Sequence, residues 1–293
     1  MKPKTILILV SGVIAVSFAA IFIRLSTAPP LIISFYRMFF SSVLIFIYAS
    51  YRSDVFTQLR KLTSKDLLLL VVAGLFLSVH FAFWVTSLNH TSVASSVILV
   101  TTQPLFIVLI ESTFLDKKPS KSFLIGLTVA AIGSFLIGFG DFQGAEFELI
   151  GDVLALAGAV MAAGYFLIGG EVRQRINILP YIFVVYGFSS VFLFAFCLVA
   201  GLPLVSYSAS NYSLFLLLAI IPTLIGHTAF NWLLSEVKAS LIGVTILGEP
   251  IGSSLLAIVF FEEYPSYWVI AGGTFVLISI YFLWREEELN NFG

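Results

Sequence analysis

Between Gly226 and Pro250 the chain reads GHTAFNWLLSEVKASLIGVTILGEP, which sets His227, Asn231 and Glu249 in apolar surroundings. His227 and Asn231 are four residues apart, so on a helix they share a face. The same spacing joins His80 and Trp84. Faces of this kind can line an enclosed polar or aromatic cavity. The plainer alternative is an interhelical hydrogen bond, worth about 0.6–2 kcal/mol in a membrane. Glu249 is an acid in the middle of an apolar run, where exposure of a charged group to lipid costs about 2.5–3.5 kcal/mol. Burial disfavours the charged form of a carboxyl. Glu249, with His227, is therefore a candidate proton carrier, or else a paired structural residue that stabilises a bend at Pro250.

Other residues extend the same chemistry. Gln103–Pro104 repeats the Glu249–Pro250 pattern with a side chain that cannot titrate. Pro104 and Pro250 each free a backbone carbonyl one turn back and mark helix breaks. Arg37 can pair with an anionic group or with Glu249, or it can snorkel and bond backbone carbonyls. Tyr36 and Tyr165 are candidate aromatic walls. A metal site is not expected, because one of the three histidines is His90 in a loop and no carboxylate stands at ligand spacing. No cofactor is implied. Cys197 is the single cysteine, so it forms no intrachain disulfide and reads as a packing thiol.

The elements that position these residues are membrane helices. The 293 residues are 59% hydrophobic and 11% charged, against about 25% charged in soluble chains. Apolar runs long enough for a hydrocarbon core of about 30 Å lie at 5–25, 31–50, 66–88, 92–113, 121–140, 150–170, 179–200, 212–234, 239–261 and 266–284. The reading is all-α, an integral membrane protein of ten transmembrane helices. Lys2 and Lys4 before the first run would suit a signal peptide. No clean small-x-small cleavage site follows, so the run is expected to be retained. Arg285–Glu288 reads as a solvated stop. With a net charge of −1 and no basic domain, nucleic acid is not an expected partner.

Basic residues assign an orientation. Lys2, Lys4, Arg52, Arg60, Lys61, Lys65, Lys117, Lys118, Lys121, Arg173, Arg175, Lys238 and Arg285 all fall on one side of a ten-span chain. The loops Asp141–Glu148 and Gly201–Asn211 carry none. The positive-inside rule then puts both termini in the cytoplasm, in a plasma membrane of bacterial inner-membrane type.

The chain also repeats itself. Phe114–Thr128 and Phe260–Thr274 align without gaps at an offset of 146 residues, matching Pro104 with Pro250, Asp116 with Glu262, Pro119 with Pro265 and Gly126 with Gly272. Gly12 matches Gly158, and His80 meets His227 within one residue. The chain reads as two five-helix repeats, 1–145 and 146–293, forming one membrane domain around a shared central cavity. Five is odd, so the halves must enter the membrane from opposite sides. Such an inverted repeat places a site at the midplane between the halves and offers alternating access. Gly126, Gly133, Gly158 and Gly164 suit close helix crossings.

Two segments, SLNHTSVASSVILVTTQPLF (Ser87–Phe106) and LGEPIGSSLLAIVFFEE (Leu247–Glu263), together with PPLIISFYR (Pro29–Arg37) and GDVLALAGAVMAAGYF (Gly151–Phe166), resemble the drug/metabolite transporter superfamily, EamA type. Asp116 stands where the family usually has Glu. The resemblance implies export or exchange of a small metabolite, such as an amino acid, a nucleotide-sugar or a drug. The aromatic and hydrogen-bonding character of the candidate residues suggests an amino acid or similar compound. The expected partners are this small-molecule substrate and the lipid bilayer, and either a monomer or a homodimer fits. No phosphate-cradling GxxxxGK[ST] loop is present, so ATP is not expected to drive transport directly. A membrane-embedded enzyme acting on a lipid-linked substrate is the alternative, but it would need a clustered acid/base or metal constellation at one interface. A channel would need oligomeric symmetry or filter loops.

Overall fold

The computed structural model describes residues 3–91, 93–116, 119–142, 149–262, 264 and 267–290. The expected repeat boundary at 145/146 lies outside these, as do Lys2, Lys117, Lys118, Gly144, Glu148 and Pro265. Among the described residues the chain is helical throughout, with no strand. In order the elements are α1 (Pro3–Leu25), α2 (Pro30–Ser50), α3 (Ser53–Leu59), α4 (Ser64–Ser87), α5 (Val93–Thr101), α6 (Gln103–Phe114), α7 (Lys121–Phe142), α8 (Leu149–Val172), α9 (Ile178–Val199) and α10 (Ala209–Leu218). A π-helical segment (Ala219–His227) leads into α11 (Thr228–Leu233), followed by α12 (Ala239–Ile246), α13 (Glu249–Phe261) and α14 (Tyr267–Asn290). Eight helical stretches among the described residues are long and apolar enough to cross a membrane, α5–α6, α10–α11 and α12–α13 each counting as one. Shorter apolar stretches lie in α7 (Lys121–Leu136) and α14 (Ile270–Trp284).

Local chemistry explains several boundaries. Pro30 opens α2, where a missing N–H costs nothing. Thr63 and Asp66 form a reciprocal capping box at the start of α4, and the Ser208 side chain accepts from Asn211 N at the start of α10. α14 runs on to Asn290, beyond the expected stop at 284.

Three expected spans are not continuous α-helices. The span at 92–113 divides into α5 and α6 at Thr102, and the span at 239–261 divides into α12 and α13 at Leu247–Gly248. Glu249 therefore starts a helix instead of sitting mid-helix. Pro104 and Pro250 take the second position of the restarting helices, where no N–H is needed. The span at 212–234 passes through the π segment, which contains Pro222. Proline cannot donate to the carbonyl four residues back, Leu218 O. The Thr223 hydroxyl donates to that carbonyl at 2.9 Å.

The two halves use one packing scheme. α4 packs along α8, and α1 packs along the π segment and α11; α1 crosses α12 and α13 as α8 crosses α5 and α6. α2 pairs with α9, and α7 with α14. Exchanging register-equivalent helices leaves this set of neighbours unchanged. Asp116 and Glu262, 146 positions apart, both adopt positive φ, 51° and 56°. Both lie just past a helix C-terminus, where a left-handed residue closes the helix. A side chain at Gly12 would meet Phe230, and one at Gly158 would meet Trp84, the same contact in each half.

Polar contacts group at the helix ends. Lys4 Nζ lies 4.8 Å over the Trp232 ring, Arg173 donates to Asn231 O and to Ser235 Oγ, and Arg175 pairs with Asp66 at 2.8 Å. At other ends of the same helices Asn211 bonds Ser26 and Thr27, and Thr91 bonds Asp152 at 2.8 Å.

Candidate functional site

Residues from both halves enclose one cavity of about 30 Å³. It is lined by Val16, Ala19, Arg37, His80, Trp84, Val100, Thr101, Gln103, Ala162, Tyr165, Phe166, His227, Phe230, Ile246 and Glu249. Ten of these form register pairs at the 146-residue offset: Val16 with Ala162, Ala19 with Tyr165, Trp84 with Phe230, Val100 with Ile246, and Gln103 with Glu249. The cavity thus sits where the two halves meet. Its volume admits about two waters, each needing roughly 10–15 Å³. A metabolite site occupies about 300–1,000 Å³, so the cavity at this size is too small to hold one.

Arg37 is fully buried on α2. Its Nε donates to Thr223 Oγ1 at 2.7 Å, and its guanidinium lies 4.1 Å over the Phe81 ring. Nη1 and Nη2 have no hydrogen-bond partner. The π segment thereby orients the arginine, because Thr223 is held in turn by Leu218 O. His227, at the C-terminal end of that segment, meets the edge of Phe81 at 5.4 Å, and its Nδ1 has no partner. His80 Nδ1 lies 3.0 Å from Gly158 O. A carbonyl only accepts, so Nδ1 carries the proton and Nε2 is left as an acceptor. Trp84 stacks on His80 at 6.0 Å, and its indole N–H is unpartnered.

Glu249 is buried against α1, where Ser17 Oγ lies 3.4 Å from its backbone carbonyl. Ser253 Oγ reaches back to Ser17 O at 3.2 Å. These small hydroxyl-bearing residues bring α1 and α13 close. Gln103 occupies the matching position in the first half and is also buried.

Two expected lining residues lie elsewhere. Asn231 is fully buried behind the wall. Its Oδ1 accepts from Tyr165 OH at 2.6 Å, its Nδ2 donates to Tyr186 OH at 3.1 Å, and its carbonyl accepts from Arg173 Nε at 2.9 Å. It is absent from the cavity lining, held back by these tyrosines. Tyr36 turns away from Arg37, stacks on Phe215 at 5.0 Å and donates to Leu204 O at 2.6 Å. Conversely, Val16, Ala19, Val100, Thr101, Ala162, Phe166, Phe230 and Ile246 line the cavity without standing out in the sequence. Shifting Trp84 and Tyr165 by the repeat offset would have found Phe230 and Ala19. Among the described residues no three His, Cys, Asp or Glu side chains converge as a metal site requires. Cys197 is buried in α9.

A multi-span helical membrane protein, built of two like halves around a largely apolar cavity that gathers a few polar side chains, is the class that this geometry defines. The chain belongs to the EamA-like transporter family, which matches it twice, at residues 3–139 and 149–285. Both ends of the second match are displaced from the first by 146 residues, the offset of the internal repeat. It is similar to the uncharacterized transporter YdfC of Bacillus subtilis (strain 168), 23% identical over 99% of this chain and 95% of the relative. A transporter of Archaeoglobus fulgidus is also 23% identical, over 98% of this chain and 100% of its own length. A crystal structure at 18% identity shares the fold, with a TM-score of 0.77 over 97% of each chain.

Proposed function

We propose that this chain is a secondary transporter with ten membrane spans in two inverted five-helix repeats. It moves a small metabolite, an amino acid or a similar polar or aromatic compound, across the plasma membrane by alternating access, in export or exchange. The observation that carries the reading is the small cavity between the halves. It is lined by register pairs from both, and it gathers Arg37, His80, His227, Gln103 and Glu249. A cavity on a pseudo-symmetric interface can open to either side by equivalent motions of the two halves.

The helix-end contacts support inversion. Lys4 at the start of α1, Arg173 at the end of α8 and Trp232 at the end of α11 form one connected group. α1 and α8 are register equivalents, so one begins where the other finishes. With the basic loops inside, both termini face the cytoplasm. An enzyme acting on a lipid-linked substrate would present its acid and base to a membrane interface, whereas these groups face an enclosed space.

Glu249, with His227 on the same cavity, is the proposed proton-coupling group. The test is a metabolite screen with the purified protein in liposomes, with and without an imposed pH gradient. Saturable counterflow of at least one small metabolite is expected, and Glu249→Gln should remove any dependence on the gradient. Absence of counterflow across the screen would overturn the transport reading; gradient dependence surviving in the Gln variant would remove Glu249 from the coupling.

A further inference from the structure

We propose that the solute carries a carboxylate held by Arg37, and that Glu249 is protonated opposite a simple carboxylic acid but ionised opposite an amino acid. The inference rests on the transporter reading above and adds the chemistry of its ligand.

The first part follows from unused donors. Arg37 is wholly buried, yet only Nε has a partner, Thr223 Oγ1 at 2.7 Å. Stacking on Phe81 at 4.1 Å fixes the guanidinium plane. Nη1 and Nη2 are left as a rigid, unpartnered fork on a residue that lines the cavity. Trp84, on the same cavity, also has its N–H unpartnered. Buried donors left unsatisfied are unfavourable, and a planar group that only accepts is what satisfies a guanidinium fork. A carboxylate matches that fork and brings one negative charge. A phosphate dianion would bring a second, against a single permanent cation.

The second part follows from charge. A net charge enclosed at this depth is costly, and the cavity holds one arginine and one acid. The other titratable side chains facing it are His80 on α4, whose Nδ1 is bonded to Gly158 O, His227 on the π segment, and Tyr165 on α8, bonded to Asn231. Among the described residues α1, α5 and α14, which pack on α13, bring no titratable side chain to the cavity. With a carboxylate on Arg37, neutrality requires a proton on Glu249. If the ligand also carries an ammonium, ionised Glu249 balances it and no proton is needed. The proton enters from, and returns to, the aqueous side to which the cavity opens. A simple acid therefore travels with a proton, and an amino acid travels without one.

The experiment uses the full chain in detergent and two ligand pairs that differ only in the α-amino group: leucine with 4-methylpentanoate, and phenylalanine with 3-phenylpropanoate. Binding is read by thermal stabilisation. Protons are counted with an indicator dye in weakly buffered solution. At least one pair is expected to bind, with leucinamide, which lacks the carboxylate, at least about tenfold weaker than leucine. The amino acid should release about one proton per site more than its deaminated partner, and Glu249→Gln should erase that difference. Arg37→Gln should weaken carboxylate binding at least about tenfold; where that variant does not fold, the proton count and leucinamide decide. No binding by any of the four carboxylates, equal proton counts within a pair, or leucinamide binding as well as leucine overturns the inference. Counterflow of a bound ligand in liposomes tests transport separately. Binding with the expected proton counts but no counterflow sinks the transport reading alone, and carboxylate counterflow unaltered by Arg37→Gln sinks the carboxylate assignment alone.

Discussion

Gln103 and Glu249 hold the same register in the two halves, and each is the first residue of a helix that restarts after a break. Both side chains face the one cavity. The break is what delivers them there. A continuous helix would carry residue 103 or 249 on past the cavity with its backbone amide already used, whereas a new N-terminus presents free amides and a positive dipole end. The proline that follows each of them keeps the two helical pieces from fusing.

Pro104→Ala and Pro250→Ala should therefore lower transport while leaving folded yield unchanged or raised. Alanine restores the N–H that could reach the carbonyl four residues back, and an interior proline costs a continuous helix about 3 kcal/mol or more. Thermal stability and counterflow are measured on the same preparations. A fall in stability as large as the fall in transport would mean that the breaks serve packing and do not position the cavity residues.

Thr223 links the π segment to Arg37. Thr223→Val should destabilise the protein by about 1–3 kcal/mol for each buried group left unsatisfied. The group affected is Arg37 Nε, whose one partner is the Thr223 hydroxyl; Leu218 O loses that hydroxyl but is reached by the backbone N–H five residues on, as in any π-helix. Thr223→Ser keeps the hydroxyl and should recover most of the loss. Equal melting temperatures for the Val and Ser variants would show that neither bond matters.

Topology is tested by cysteine reporters in a Cys197→Ser background. Reporters at Asn89, Gly144, Ser208 and Tyr264 should label from outside, and those at Ser53, Ser120 and Asn290 should not. One loop reproducibly labelled from the wrong side breaks the ten-span inverted arrangement.

Much of this architecture is legible in the sequence because its causes are local. Apolar runs of about 20 residues announce the spans, and the 146-residue offset announces the two halves. Pro104 and Pro250 announce the breaks. What the sequence hides depends on partners distant along the chain. The π segment contains Pro222, and the Thr223 hydroxyl beside it bonds Leu218 O and is held by Arg37 from another helix. Nothing near Pro222 foretells that. Asn231 follows His227 by one α-helical turn, as the spacing implies, yet only His227 lines the cavity. The π segment ends at His227, and two tyrosines on α8 and α9 draw the amide away from the cavity. Apolar lining residues such as Phe230 look like any other core residue until the repeat register pairs them with Trp84.

Trp84 and Asn231, alike in the sequence as candidate cavity residues, should now respond differently. Trp84 faces the cavity with an unpartnered N–H and no side-chain hydrogen bond to lose. Trp84→Phe should keep folded yield while lowering transport several-fold. Asn231 makes two side-chain bonds to tyrosines and sits beside the Arg173 anchor. Asn231→Ala should lower yield and transport together, because the Tyr165 hydroxyl loses its acceptor at about 1–3 kcal/mol, while Tyr186 keeps only Thr228 Oγ1 at 3.2 Å. Removing one of those hydroxyls with it should offset part of the loss. The double variant Asn231→Ala with Tyr165→Phe is thus expected to be no less stable than Asn231→Ala alone, whereas independent sites would add their losses. Additive losses in that cycle would show that the Tyr165–Asn231 bond carries no coupling, and the amide would again be free to serve the cavity.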